Sequence, residues 1–166
     1  MKTSKSRRNN ISRKSGQSIV ELGVGLMLMI PILLFGLNCL YVGIGASLNE
    51  YICRDAARAA ASGPPSMLLV GTNRNVSSGA PKERVLSVIK KVYYSGLPMK
   101  VREDVILSET VRDLPPKADG GAIDGEVTVT TTIDIYPPVQ VQGLYSRVVL
   151  KSKHRAAITY VLRADT

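Results

Sequence analysis

Residues 16–61 read GQSIVELGVGLMLMIPILLFGLNCLYVGIGASLNEYICRDAARAAA. One carboxylate, Glu21, stands near the start, and the next charge is Glu50. The 28 positions between them, Leu22 to Asn49, are rich in Leu, Ile, Val, Met and Gly. A bilayer core needs about 20 apolar residues as helix, and the buried helix of a soluble protein rarely runs so long. The stretch is therefore expected to be a transmembrane helix, spanning to about residue 49. An ordinary cleaved secretory signal fits poorly, because its apolar region is about 7–15 residues and a small-residue cut site follows at once.

Charge orients the segment. The 166-residue chain carries a net charge of +9, and Lys2, Lys5, Arg7, Arg8, Arg13 and Lys14 supply six of those charges before residue 17, with no acid among them. The remainder is only mildly basic, at +3. A dense basic face, the footprint of nucleic-acid binding, is not expected. Cations ahead of the apolar run place the N-terminus in the cytoplasm and the bulk of the chain outside it.

Beyond the apolar run the helical pattern continues. Glu50 and Arg54 stand at i,i+4 in the favoured order, and Asp55 and Arg58 at i,i+3. The Ala-rich segment to Ala61 has high helix propensity, and Gly63-Pro64-Pro65 ends it. Pro31 interrupts the run and is expected to kink it. Gly43 and Ser47 form a small-xxx-small pair of the kind that lets two helices approach closely; glycine is also simply commoner in membrane helices. Cys39 and Cys53 are 14 positions apart, about 21 Å along a helix, too far for a bridge within the chain. Cys39 reads as a small buried apolar residue. Cys53 is open to either structural burial or a reactive role, including a bridge between chains.

A basic leader ending in Gly16, then a helix with Glu21 as its fifth residue counted from Gln17, resembles the class III signal of type IV pilins and pseudopilins. More narrowly, the Gly-Gln-x-x-Val-Glu start, the proline inside the helix and the Ala-Ala-Arg-Ala-Ala-Ala close resemble the TadE-like family of the tight-adherence (Flp pilus) system. The likeness covers residues 13–62. It departs from the pattern at Leu22, where many relatives carry an aromatic residue, and in the distance of Pro31 from the glutamate. The resemblance implies cleavage by a prepilin peptidase between Gly16 and Gln17. It also implies assembly with other pilin or pseudopilin subunits on a membrane platform, in the bilayer or in a surface filament.

Glu21 has a physical reading of its own. An ionised side chain at the centre of a membrane helix costs about 2.5–3.5 kcal/mol by insertion scales, and less at the edge. In the first turn it also lies beside the positive helix end. It becomes costly when subunits pack side by side, where a neighbour's cation, such as the new α-amino group of Gln17, offsets it. The plainer reading is that Glu21 marks the interface.

The outer region is expected to be a separate α+β head. Residues 64–80 read as a loop, apart from the apolar Met67–Val70. Pro81 suits a helix start, and Val85, Val88, Ile89 and Val92 make one apolar stripe before Gly96 and Pro98 stop it. Glu126 to Ile135 alternates, with Val127, Val129, Thr131, Ile133 and Ile135 on one face. Lys151 to Leu162 alternates as a single strand, and a weaker strand lies near Asp104–Val111. The expected divisions are a leader at 1–16, a long N-terminal helix at 17–63 and an extracytoplasmic head at 64–166. The head is one helix packed on a short antiparallel sheet.

No catalytic pattern is present. Gly-x-Ser-x-Gly, His-Glu-x-x-His and Walker-type sequences are missing, and the single histidine, His154, lies in a strand pattern. The acidic stretch Asp119 to Glu126 does not have EF-hand spacing and reads as a turn. The chain is expected to be a non-enzyme, with no cofactor and no metal. The alternative to a pilin-like assembly protein is an uncleaved bitopic protein whose outer domain binds a ligand or adhesion partner.

Overall fold

The computed structural model describes residues 11–71, 73–91, 98–116, 119–138 and 146–164, with side chains from residue 18 onward. The leader cations Lys2, Lys5, Arg7 and Arg8, together with Val92 and Gly96, lie outside the described residues. The chain divides into two compact units, one ending at Leu40 and the other beginning at Tyr41.

Helix α1 (Ile11–Ala61) starts six residues before the expected Gln17. Residues 11–15 contain neither glycine nor proline, so a helix nucleated in the apolar run extends backwards at little cost. It runs through Pro31 as one helix. In the first unit its large side chains are exposed on every side, among them Ile19, Met27, Ile30 and Phe35. That helix is long and apolar enough to cross a membrane.

In the second unit, α1 buries one stripe: Gly45, Asn49, Ile52, Cys53, Ala56, Ala57, Ala60 and Ala61. The steps of three and four residues are those of a single helix face. Glu50 and Arg54 pair on the outside at 3.3 Å; among the described residues no ion pair joins Asp55 to Arg58. Helix α2 (Ala80–Lys91) has Glu83 in its first turn and Lys90 and Lys91 in its last, as the helix dipole favours. It buries Pro81, Val85 and Ile89.

The strands are β1 (Arg74–Asn75), β2 (Met99–Val101), β3 (Ile106–Asp113), β4 (Gly121–Ala122), β5 (Asp124–Ile135), β6 (Val148–Ala157) and β7 (Val161–Leu162). β5 is the centre of an antiparallel sheet, with β6 along one side and β3 and β2 also paired to it; β1 extends β3. The expected inward row Val127, Val129, Thr131, Ile133 and Ile135 is buried throughout. Its partners in the core are Ile52, Val85, Leu107 and Val111. The architecture is therefore α+β: one long helix, one short helix and antiparallel sheets.

One expectation changes in the sheet. The single strand from Lys151 to Leu162 is two strands in two sheets, because the chain leaves the main sheet after Ala157 and β7 pairs with β4 instead. The break has a physical cause. Thr159 turns its N–H toward the carbonyl of Ala61 at 3.0 Å, with its hydroxyl at 3.3 Å from the same oxygen. It thereby satisfies one of the carbonyls that a helix end leaves unpaired. The glycines of the Asp119–Glu126 segment take φ of +65° at Gly120 and +138° at Gly121, backbone that other residues rarely adopt. Among the described residues no group of three or more His, Cys, Asp or Glu is placed to hold a metal.

Candidate assembly site

The residues expected to act in processing (Gly16, Gln17) and in assembly (Glu21, Pro31, Gly43, Ser47) all belong to α1. Gly16 and Gln17 lie inside its helical backbone rather than in an extended stretch. Glu21 sits on exposed helix surface between Val20 and Leu22, both 66% exposed. Pro31 is likewise exposed. These four belong to the first unit, and Gly43 and Ser47 to the second.

Gly43 and Ser47 are exposed, and a side chain added at Gly43 meets nothing within 4 Å. The glycine used inside the chain is its neighbour Gly45. There an added Cβ meets the Ile135 side chain and comes within 3.4 Å of Met99 Sδ. The sheet thus packs on α1 from Gly45 onward, and the Gly43–Ser47 face stays open. Sequence alone offered two glycines two residues apart and no means of telling which faced the sheet.

Four residues further on, Asn49 is fully buried yet satisfied. Its Oδ1 accepts from the Thr131 hydroxyl at 2.8 Å, and its Nδ2 donates to the Leu150 carbonyl at 3.3 Å. Cys53 follows one turn later, with Sγ 3.3 Å from both the Val129 and the Ser152 carbonyl. A thiol has one hydrogen, so the two carbonyls share it. Of the two readings left open for Cys53, structural burial is the one found: it is wholly buried beneath β5 and β6. Cys39, expected to be buried, is exposed on the first unit's helix. The signal that could have found the anchor was the spacing of Gly45, Asn49, Cys53, Ala56 and Ala60. Polar and small residues recur there every three or four positions, on a helix too polar on that side to be all lipid-facing.

The far end of α1 is held as firmly. Arg84 of α2 donates from Nε to the Ala59 carbonyl at 3.0 Å. Its Nη2 donates to the Ala60 carbonyl at 2.7 Å and the Pro64 carbonyl at 3.0 Å. A cation here meets both the unpaired carbonyls and the negative end of the helix dipole. Gly63 makes room for it, since a Cβ there would lie 2.6 Å from Arg84 Nη1. The sequence marks Gly63 as a helix stop, but its second task appears only with Arg84 in place.

On the outer side of the sheet, Asp134 is buried and takes a two-pronged contact from Arg102: Nε to Oδ2 at 3.0 Å and Nη2 to Oδ1 at 3.1 Å. Arg147 adds a weaker contact at 3.6 Å. The hydrogen-bonded Arg102 guanidinium holds the Asp134 carboxyl below the usual aspartate range, against the opposing effect of desolvation. His154 is half-buried in β6 opposite Val129, beside no such cluster. The chain matches no protein-family model, no curated protein and no solved structure.

Proposed function

We propose that the chain is a pilin-like assembly protein, similar to TadE-like pseudopilins, anchored by α1 in the cytoplasmic membrane with its head outside. In this reading a prepilin peptidase removes residues 1–16 after Gly16. The mature chain, beginning at Gln17, then packs against sister subunits or related pilins on an assembly platform. The bilayer surrounds the helix before Gly45, where the sheet begins. Glu21 meets a cation of a neighbouring subunit, and the open Gly43–Ser47 face lets another helix come close.

The observation that carries this reading is the join between the two halves of α1. A basic leader, a lone acid and a long apolar run lead without a break into a helix that is built into a folded head. A mere tether has no need to continue as the head's own core helix.

The test is the mass of the mature N-terminus in the native host. A chain starting at Gln17 is expected, and functional protein that retains Met1 overturns the proposal. Glu21→Ala should leave membrane insertion intact and reduce co-purification with partner subunits; normal assembly of that variant removes the pairing role.

A second reading, an uncleaved bitopic protein with a binding head, draws on one observation. The Gly16–Gln17 bond lies within helical turns, whose backbone groups are tied in i to i−4 hydrogen bonds that a peptidase has to open. The same N-terminal mass separates the two.

A further inference from the structure

Both helices pack on one face of the main sheet, where Ile52, Val85, Ile89 and the inward rows of β3 and β5 meet. Among the described residues no helix covers the other face. On it, β5 and β6 lay two rows side by side, with Thr132 opposite Lys151, Thr130 opposite Lys153, and Thr128 opposite Arg155. The three cations are exposed and all point to one side, by strand alternation. They follow one another at about 6.6–6.8 Å, with the threonine row about 4.5–5.5 Å away.

The two lysine charges are not absorbed by the protein. Arg155 approaches Glu126 only at 4.0 Å, and Lys151 and Lys153 make no ion pair among the described residues. Three regularly spaced cations, with the half-buried Thr128 and Thr130 beside Arg155 and Lys153 and Thr132 enclosed, fit a linear polyanion with repeated hydroxyl groups. Lysine meets each carboxylate as a point charge, and threonine can both donate to and accept from a sugar hydroxyl. Neither row contains an aromatic ring. Single-stranded nucleic acid is held largely by base stacking on such rings, so the surface favours a glycan.

We propose that the β5–β6 outer face binds an acidic polysaccharide through Lys151, Lys153 and Arg155. The proposal does not depend on pilus assembly and applies equally to an uncleaved anchor.

The test uses the full chain in zwitterionic nanodiscs, with polygalacturonate as the probe. Binding is expected, should weaken steeply with added salt, and should be missing for neutral dextran. The double variant Lys151→Gln/Lys153→Gln should bind about tenfold more weakly, reflecting two lost charge-assisted contacts. The control Lys90→Gln/Lys91→Gln on α2 removes the same charge and should bind as the parent does. All four lysines are exposed, and unchanged melting confirms that the variants fold. Lysines on an edge strand can serve only to prevent edge-to-edge pairing; that role predicts no binding to polygalacturonate, and this result overturns the proposal. Equal loss in the α2 control overturns it as well. So does tighter binding of oligothymidylate or of phosphatidylglycerol vesicles.

Discussion

From residue 18 to 40, α1 presents large side chains all round: Ile30 is 55% exposed and Phe35 70%. From residue 45 to 61 its buried face is Gly45, Asn49, Cys53 and four alanines, with Ile52 the one large side chain that is wholly enclosed. Bulk suits a surface meant for lipid, where each buried CH₂ is worth about 0.8 kcal/mol. Small residues suit a surface meant for a sheet, because they let the backbones approach. They also leave the sheet's own Val127, Val129 and Ile133 to fill the space. The same helix thus goes from exposed bulk to a face of small residues packed on the sheet, while its backbone pattern stays the same.

The sharpest way to break this comparison is one substitution made twice. Ile52→Ala opens a cavity in the core and should cost the head about 2–5 kcal/mol. Ile30→Ala, on the exposed stretch, should leave the head's stability within about 0.5 kcal/mol of the parent. Chemical denaturation of the full chain in nanodiscs, followed by hydrogen exchange in β5, reads both. Similar losses for the two would mean that the first stretch also supports the head.

A smaller effect is expected where α1 ends. Arg84→Met keeps the aliphatic stem of the side chain but removes three hydrogen bonds to carbonyls. A charged hydrogen bond is worth about 1.5–3 kcal/mol, and Thr159 still caps Ala61, so a net loss of about 2–3 kcal/mol is expected. Gly63→Ala should be destabilising in the parent, by displacing the guanidinium, and nearly neutral in the Arg84→Met background. An additive result in that double-mutant cycle would separate the glycine from the arginine.

The glycines give a comparison of sign. Gly45→Ala meets Ile135 and should cost about 1–3 kcal/mol by overpacking. Gly43→Ala meets nothing and should stabilise the helix by up to about 1 kcal/mol, the propensity difference between the two residues. If that face receives another helix, Gly43→Ala should nevertheless weaken association between chains, measured by crosslinking in the membrane. Stability and assembly would then move in opposite directions at one position.

The elements legible in the sequence were those with a long period or a hard stop. The apolar run, the Gly63-Pro64-Pro65 stop, the Val85–Ile89 stripe and the alternation from Val127 to Ile135 each repeat a signal several times. β1, β2, β4 and β7 are two or three residues long, too short to show any period; only their partners define them. β6 and β7 read as one strand because alternation persists through Ile158 and Tyr160, while the break between them is dictated by a carbonyl at Ala61, nearly a hundred positions away. Cys53 and Gly45 look like their neighbours in sequence and differ only in what the sheet brings against them. Gly16, Gln17, Glu21 and Pro31 are a different case. In the proposed function their roles depend on a peptidase, a bilayer or a second subunit, none of which a single chain supplies.

The smallest expected effect concerns pH, and it again sets the two units apart. Asp134 ionises more readily in the folded head than in the unfolded chain, because Arg102 binds its charged form. Its contribution to stability is therefore complete above the unfolded aspartate value of about 3.9. It declines as pH falls below that value toward the lower folded one. Melting curves of the parent and of Asp134→Asn, compared from pH 6 to pH 2, should lie apart at the upper end and converge at the lower. Arg147 approaches the same carboxylate at 3.6 Å, so Arg147→Gln should reduce the separation without abolishing it, and Arg102→Gln should reduce it more. Residues 22–40 of α1 carry no charged side chain. Hydrogen exchange there should not follow this transition. If protection in residues 18–40 fell together with the head's melting, the two stretches would be one cooperative unit and the division at Leu40 would not hold.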